Sequence, residues 1–289
     1  MRVAVIGATG QLGTDLCRTA SDCEVIPLTH SQVCVEDMDS VLAVLREYRP
    51  EFVINTAAFH RVDECETNPE PAFLVNAVGA KNLALACRET DAVLVHISTD
   101  YVFGLDRSRF TPYLEEDTPA PVNVYGASKL AGEHLIRAYL ERHYIIRTAA
   151  LYGTAGSSGK GGNFVETMLR LASEGRNIRV VDDQITSPTY TRDLAAKVWQ
   201  IIADGPYGTY HVTNSGQCSW FRFAQMIFKL SGLSPALSPT TAVEFGAPAP
   251  RPSYSVLAHG SLRRAGLGDT RPWEDALSDY LSERTRTRR

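Results

Sequence analysis

The 289-residue sequence has no apolar stretch approaching 18 residues, so no membrane-crossing helix is expected. No signal peptide is expected ahead of the first apolar run. A basic tract able to follow a phosphate backbone is also missing. The net charge is −4, and the terminal Arg-Thr-Arg-Thr-Arg-Arg has no interleaved aromatics, so a frayed, solvated end is expected and nucleic-acid binding is not. None of the six cysteines (Cys17, Cys23, Cys34, Cys65, Cys87, Cys218) forms a C-x-x-C pair, which points to reduced thiols in a cytoplasmic protein. The seven histidines are dispersed without zinc-ligand spacing, and His60, His96 and His211 are expected to be polar strand-end residues. There is no G-x-S-x-G, and Gly126-Ala127-Ser128 does not make a nucleophile elbow. No internal repeat is present. The remaining composition, 44% hydrophobic and 21% charged, is that of a soluble globular chain with one large domain or two intimate ones.

What the chain does have begins at its first residues. Val3, Ala4, Val5 and Ile6 form the short continuous apolar run of a parallel strand buried on both faces. Gly7, Gly10 and Gly13 follow as G-x-x-G-x-x-G. Glycines there allow a tight strand-to-helix turn and let a pyrophosphate approach backbone N–H groups at the next helix's N-terminus. The spacing departs from G-x-G-x-x-G at its second glycine, and a glycine-rich turn in another α/β protein is the bland alternative.

Periodicity predicts a helix over 12–19, a strand over 24–28, a helix over 41–48 ending before Pro50, and a third strand over 52–55. A helix over 73–89 and a fourth strand over 91–97 complete a βαβαβαβ order, which calls for right-handed crossovers and helices on both sheet faces. Residues 101–123 form a long, aperiodic, proline-containing loop of the kind that shapes a site. Next come a helix over 125–140, a strand over 143–147, a glycine-rich flexible stretch over 153–162, and a helix over 164–174 with a short strand at 178–181. A helix over 191–203, a strand over 208–212, a helix over 219–230 and a final helix over 273–281 complete the chain. The expected fold is therefore a doubly wound parallel sheet of Rossmann type with a smaller C-terminal substrate-binding lobe. Residues 1–150 form the nucleotide-binding domain, 191–212 return to it, and 151–289 mainly form the lobe.

Tyr125 and Lys129 form Y-x-x-x-K, one helical turn apart on one face. A tyrosine alone titrates near pH 10, and an ammonium beside it brings proton transfer within reach near neutrality. The preceding strand end, His96-Ile97-Ser98-Thr99-Asp100-Tyr101, places hydroxyls nearby; Thr99 can donate to a developing alkoxide. Chance helical spacing and a threonine that merely ends a strand are the competing readings.

At this point the sequence resembles the extended short-chain dehydrogenase/reductases, and within them the dTDP-4-dehydrorhamnose reductase family. The resemblance runs over nearly the whole chain, through GATGQLG (7–13), HISTDYVFG (96–104), NVYGASKLAGE (123–133), DQITSPTY (183–190), YHVTNSGQCSWFRFA (210–224) and RPSYSVL (251–257). It implies a cytoplasmic monomer or homodimer that uses NADPH or NADH to reduce the C4 ketone of a dTDP-linked 6-deoxy-4-keto-L-sugar, giving dTDP-L-rhamnose. The family's catalytic residues fall on Thr99, Tyr125 and Lys129. Its cofactor path falls on Gly7, Gly10, Gln11 and Leu12, then Thr29, His30 and Val35, then Ala57, Ala58 and Asn76, with Tyr125 and Lys129 at the nicotinamide. Val62, Asp63, Thr99, Asp100, Tyr101, Gln184, Ser187 and Arg251 look like substrate-side positions, Arg251 being able to meet phosphate bidentately. Some members bind Mg²⁺ between subunits; Asp15, Asp182 and Asp183 occupy the corresponding places, with a solvated acidic surface as the alternative.

Three departures stand out. The family usually has a tryptophan where this chain has Ala150, and losing that wall either widens the pocket or calls for a replacement from elsewhere. The loop between Tyr101 and Tyr125 is longer than in some relatives. The second strand ends in Leu28-Thr29-His30, and the region around Cys34-Val35 lacks the usual acidic residue, so no Asp or Glu is placed for a ribose 2′-hydroxyl and no Arg for a 2′-phosphate. NADPH is preferred as the cofactor of a biosynthetic reduction. Two other functions compete: a related sugar-nucleotide epimerase or reductase, and a non-catalytic NADP-binding regulatory subunit like that of methionine adenosyltransferase. A dehydratase is disfavoured because no Glu follows Asp100.

Overall fold

The computed structural model describes residues 1–21, 23–155 and 162–287. The glycine-rich stretch expected to be flexible falls largely on 156–161, outside the described residues. The first half runs β1 (Arg2–Ile6), α1 (Gln11–Thr19), β2 (Glu24–Leu28), α2 (Met38–Tyr48), β3 (Phe52–Asn55), α3 (Val62–Thr67), α4 (Pro69–Phe73), α5 (Gly79–Glu89), β4 (Val93–Thr99), α6 (Val124–Tyr139) and β5 (His143–Thr148). The second half runs β6 (Leu151–Tyr152), α7 (Phe164–Ser173), β7 (Ile178–Val181), β8 (Ile185–Thr186), β9 (Thr189–Tyr190), α8 (Thr191–Asp204) and β10 (Gly208–His211). It ends with β11 (Cys218–Ser219), α9 (Trp220–Leu230), β12 (Leu237–Thr240), α10 (Ala242–Phe245), α11 (Gly260–Arg264) and α12 (Trp273–Thr287).

Six strands form one parallel sheet in the order β10-β5-β4-β3-β1-β2. Its strands are apolar on both sides because each face is covered. Leu12 and Leu16 of α1 and Leu194, Val198 and Ile201 of α8 pack on one face, and Val41 and Leu45 of α2, Leu83 of α5 and Ile136 of α6 pack on the other. The later segments build a separate aromatic core from Tyr152, Tyr190, Phe223, Trp273 and Tyr280. Its paired strands, β6 with β9, β8 with β11 and β7 with β12, are only two to four residues long. Strands that short leave almost no alternation to read, so only β7 was expected. No helix among the described residues is long and apolar enough to cross a membrane.

One expected helix is divided. In place of a single run over 73–89, α4 is followed by a wide π turn (Leu74–Val78) and then α5. The apolar positions continue through the extra residue, which hides the turn from a 3.6-residue reading. Helix α2 starts three residues early because Asp37 accepts from the backbone N–H groups of Asp39 (2.9 Å) and Ser40 (3.4 Å).

Two features fix helix α6. Asn123 caps it by accepting from Gly126 N (2.8 Å). Glu133, fully buried, accepts from Arg147 Nε (3.0 Å) and Nη2 (2.7 Å) of β5 and from Ser98 Oγ (2.5 Å) of β4. Burial alone would raise the Glu133 carboxyl, but Arg147 and Ser98 hold it below its usual value.

Candidate active site

The chain reverses direction across the sheet at β1, which lies between β2 and β3. In an open parallel sheet a crevice opens there at the strands' C-terminal ends. Gly7 takes φ +81°, and a Cβ on it would stand 2.5 Å from Thr56 Oγ1. A Cβ on Gly13 would lie 2.2 Å from the Gly7 carbonyl oxygen, so this glycine lets α1 pack directly on the turn. Helix α1 has no side-chain cap and no acid in its first turn, leaving its N–H groups and positive dipole end for an anion. These residues fit a dinucleotide pyrophosphate.

From that turn a cleft of about 620 Å³ runs along the strand ends to α6 and the C-terminal lobe. Gly7, Gly10, Gln11, Leu12, His30, Val35, Ala57 and Ala58 line it on the expected cofactor side. Val62, Asp100, Tyr101 and Gln184 line the other end, and Thr99, Tyr125 and Lys129 lie between. Gln11 also accepts from Gly153 N (3.0 Å) and Asn163 Nδ2 (3.2 Å), tying the glycine turn to the second half of the chain.

Several expected residues are elsewhere. Thr29 bonds locally to Ser31 and Gln32 and does not line the cleft. Asn76 is buried, with its amide spent on both backbone groups of the cleft-lining Phe59 and on Ser128 Oγ, and does not itself line the cleft. Ser187 is buried and donates to the Gly216 carbonyl (2.7 Å), so it holds a loop and does not face the cleft. Arg251 is not an open fork for phosphate: its Nη2 donates to both carboxylate oxygens of Asp63 at 3.0 Å, and this pair stands behind Tyr101.

Within one chain the three aspartates expected at an intersubunit metal site have other partners. Asp15 is buried against Thr191 and near Arg18, and burial raises its carboxyl. Asp182 accepts from Ser219, and Asp183 caps the Ala242 N–H (2.9 Å). Among the described residues no group of three or more His, Cys, Asp or Glu could hold a metal ion.

The central trio is tightly placed. A Cβ on Gly126 would come within 2.0 Å of the Tyr101 carbonyl oxygen, so this glycine lets α6 abut the short turn after β4. Tyr125 and Tyr101 consequently meet edge to face, with ring centroids 6.0 Å apart. Burial pushes the Tyr125 phenol above its usual range, against the lowering effect of the neighbouring Thr99 hydroxyl, so it carries its proton at neutral pH. The expected activation by Lys129 is not what dominates: desolvation does. Lys129 is itself buried and lowered to about 8 by desolvation, with Glu133 opposing. Its ammonium donates to the Ile97 carbonyl (2.7 Å) and lies 3.0 Å from His96 Nε2, while His96 Nδ1 meets the Asn55 amide at 3.1 Å. Burial holds His96 well below its usual value, so the ring is neutral.

Sequence reading missed part of the wall. Phe164 and Trp220 both line the cleft, their rings 4.8 Å apart, so aromatic surface reaches it from α7 and α9. Ala150 also lines it, in a left-handed conformation (φ 44°). Thr148 and Thr186 line it too, each with a buried hydroxyl lacking a partner among the described residues, which suits a polyhydroxylated ligand. Positive φ and orphaned hydroxyls leave no mark in a sequence.

The family described as the RmlD substrate binding domain matches residues 1–286. The chain belongs to this family. It is 46% identical to the spore coat polysaccharide biosynthesis protein SpsK of Bacillus subtilis over 98% of both chains. It is 43% identical to a dTDP-4-dehydrorhamnose reductase of Mycolicibacterium smegmatis, over 97% of this chain and 85% of that one. Among solved structures, the dTDP-4-dehydrorhamnose reductase of Bacillus anthracis, in complex with NADP, superposes with a TM-score of 0.92 at 41% identity, covering 98% of this chain and 99% of that one. As a dTDP-4-dehydrorhamnose reductase family member, the chain is an NAD(P)H-dependent oxidoreductase of that type.

Proposed function

We propose that the chain reduces the C4 ketone of a dTDP-linked 6-deoxy-4-keto-L-sugar, converting dTDP-4-dehydrorhamnose to dTDP-L-rhamnose with NADPH. The observation that carries this reading is the meeting of Thr99 at the end of β4 with Tyr125 and Lys129 of α6 in one cleft, with the uncapped start of α1 across it. When bound, the nicotinamide supplies the hydride. Tyr125 keeps its proton until an alkoxide forms, then donates it. Thr99 holds the carbonyl oxygen through a second hydrogen bond. Lys129, cationic at neutral pH, orients the nicotinamide ribose and offsets the charge left on Tyr125. Residues 1–150 with 191–212 hold the cofactor, and 151–289 mainly hold the sugar nucleotide. NADPH is favoured as the cofactor of a biosynthetic reduction; the structure adds Glu36 to the cofactor-side lining of the cleft beside His30 and Val35.

The test mixes purified protein, NADPH and enzymatically prepared dTDP-4-keto-6-deoxy-L-mannose. One-for-one cofactor oxidation yielding dTDP-L-rhamnose is expected; absence of oxidation with NADPH still bound overturns the substrate assignment. Release of oxidised cofactor each turnover separates a reductase from an epimerase. Tyr125→Phe is expected to lower kcat by about 10²–10⁴-fold with little change in cofactor affinity. Near-normal turnover in that variant would remove Tyr125 as the proton donor.

A further inference from the structure

We propose that Asn55 and His96 are positioning residues for Lys129: the Ala57 backbone N–H fixes the Asn55 amide, the amide fixes which nitrogen of His96 carries the ring proton, and that proton faces the Lys129 nitrogen and opposes its charged form. The inference rests on Lys129 being the residue that orients the cofactor ribose. Strand register brings the parts together. Asn55 of β3 lies directly across from His96 of β4, so the two side chains share one face of the sheet. Ser98 stands two residues beyond His96 on that face, and α6 covers both. Ser98 reaches Glu133 and His96 reaches Lys129, which lie four residues apart on the helix.

The direction of each hydrogen bond follows from its chemistry. The Ala57 N–H can only donate, and it meets Asn55 Oδ1 at 3.0 Å. Asn55 Nδ2 is thereby turned to His96 Nδ1, 3.1 Å away. An amide nitrogen also only donates, so Nδ1 must be the lone-pair nitrogen. His96 is neutral and has one ring proton, which then sits on Nε2, 3.0 Å from Lys129 Nζ. A neutral amine accepts from Nε2–H with its lone pair and still donates to the Ile97 carbonyl at 2.7 Å. An ammonium has no lone pair and sets N–H against N–H at that contact. If the ring proton moves to Nδ1, the same collision appears at Asn55 Nδ2. Turning the Asn55 amide passes it to the Ala57 N–H. Charging Lys129 therefore leaves one pair of donors face to face in this chain, and neutral Lys129 leaves none.

The surroundings give that mismatch weight. Asn55, His96 and Lys129 are all buried, so water has little access to relieve it. Burial acts on Lys129 in the same direction as the chain, and its ammonium is brought down to about 8. Glu133 on α6 opposes this, but its carboxylate is already engaged by Arg147 of β5, Arg137 of α6 and Ser98. His143 of β5 acts on His96 and helps to keep the ring neutral. On the cleft side stand Tyr125 of α6 and, after β4, Asp100, whose carboxyl rises to about 7. Because Asp100 titrates close by, the signal of the lysine itself has to assign the effect.

The test begins with NMR of the protein alone. In wild type with isotope-labelled histidine, above the Lys129 titration, His96 is expected to show a bare Nδ1 and a protonated Nε2. A ring proton on Nδ1 there overturns the proposal without any variant. In protein with labelled lysine, the Lys129 signal, assigned from Lys129→Met, is expected to titrate at about 8 in wild type. In His96→Gln it should titrate higher by about one pH unit or more, because one amide oxygen can accept from Asn55 and from the ammonium together. That substitution adds no charge, so an unchanged or lower titration overturns the proposal. Steady-state assays on the dTDP-4-keto sugar supply the second readout. Turnover that needs the ammonium is present below its titration and lost as pH rises through it, so His96→Gln should hold kcat to higher pH while NADPH affinity at neutral pH changes little. Damaged packing would lower the rate at every pH and could not extend the range. If the NMR results hold and the sugar is inert, the substrate assignment fails and the positioning stands. If the sugar is reduced while the ring proton lies on Nδ1, the positioning fails and the substrate assignment stands.

Discussion

Ser98 and Thr99 are neighbours at the end of β4, and their side chains leave opposite faces of the strand, each reaching a buried carboxyl. On one side Glu133 is met by the two-pronged Arg147 guanidinium, by Arg137 and by Ser98, and stays ionised. On the other side Asp100 is met by hydroxyls and backbone, and its carboxyl rises to about 7. Burial is nearly the same in the two places, so burial does not decide the charge. The partners do. A paired carboxylate fixes α6 to the sheet, whereas one surrounded by neutral groups keeps its proton to a higher pH.

Breaking the first side should have the largest effect. Glu133→Gln leaves Arg147 charged and buried, and should cost about 3–5 kcal/mol in urea unfolding. Glu133→Gln combined with Arg147→Met should recover part of that loss, since the stranded charge goes too. Full stability in the single variant would show that the pair contributes little.

The second side carries the opposite sign. The folded Asp100 titrates above its unfolded counterpart, so its stabilising contribution is present at acid pH and is lost as pH rises through about 7. Asp100→Asn should therefore match wild type near pH 4 and exceed it above pH 7, by a few kcal/mol on the order given by the shift. Unfolding curves at the two pH values check this. A smaller effect is expected at Ala150, where φ 44° strains a non-glycine residue: Ala150→Gly should change stability by no more than about 1 kcal/mol, in the stabilising direction, by thermal unfolding.

The glycine turn and the Tyr125–Lys129 pair could be read in advance because each depends on residues close in sequence. The misplacements have one cause. Asn76, Ser187 and Arg251 are polar residues near the cleft in sequence terms, but each side chain is claimed by a distant partner: Phe59 and Ser128, the Gly216 carbonyl, and Asp63. Asp15 is taken by Thr191, 176 residues away. Trp220, Phe164 and Ser255 reach the cleft from elements with no sequence proximity to the trio.

The sequence by itself determined the parallel sheet, the glycine turn after β1 and the placing of Tyr125 and Lys129 one helical turn apart, because apolar periodicity, glycine spacing and one helical turn are local properties. Only the tertiary structure decided which carboxyl is charged, which polar groups face the cleft and what surrounds Ala150. Those outcomes depend on desolvation and on hydrogen-bond partners brought together from across the chain, and no local pattern encodes either.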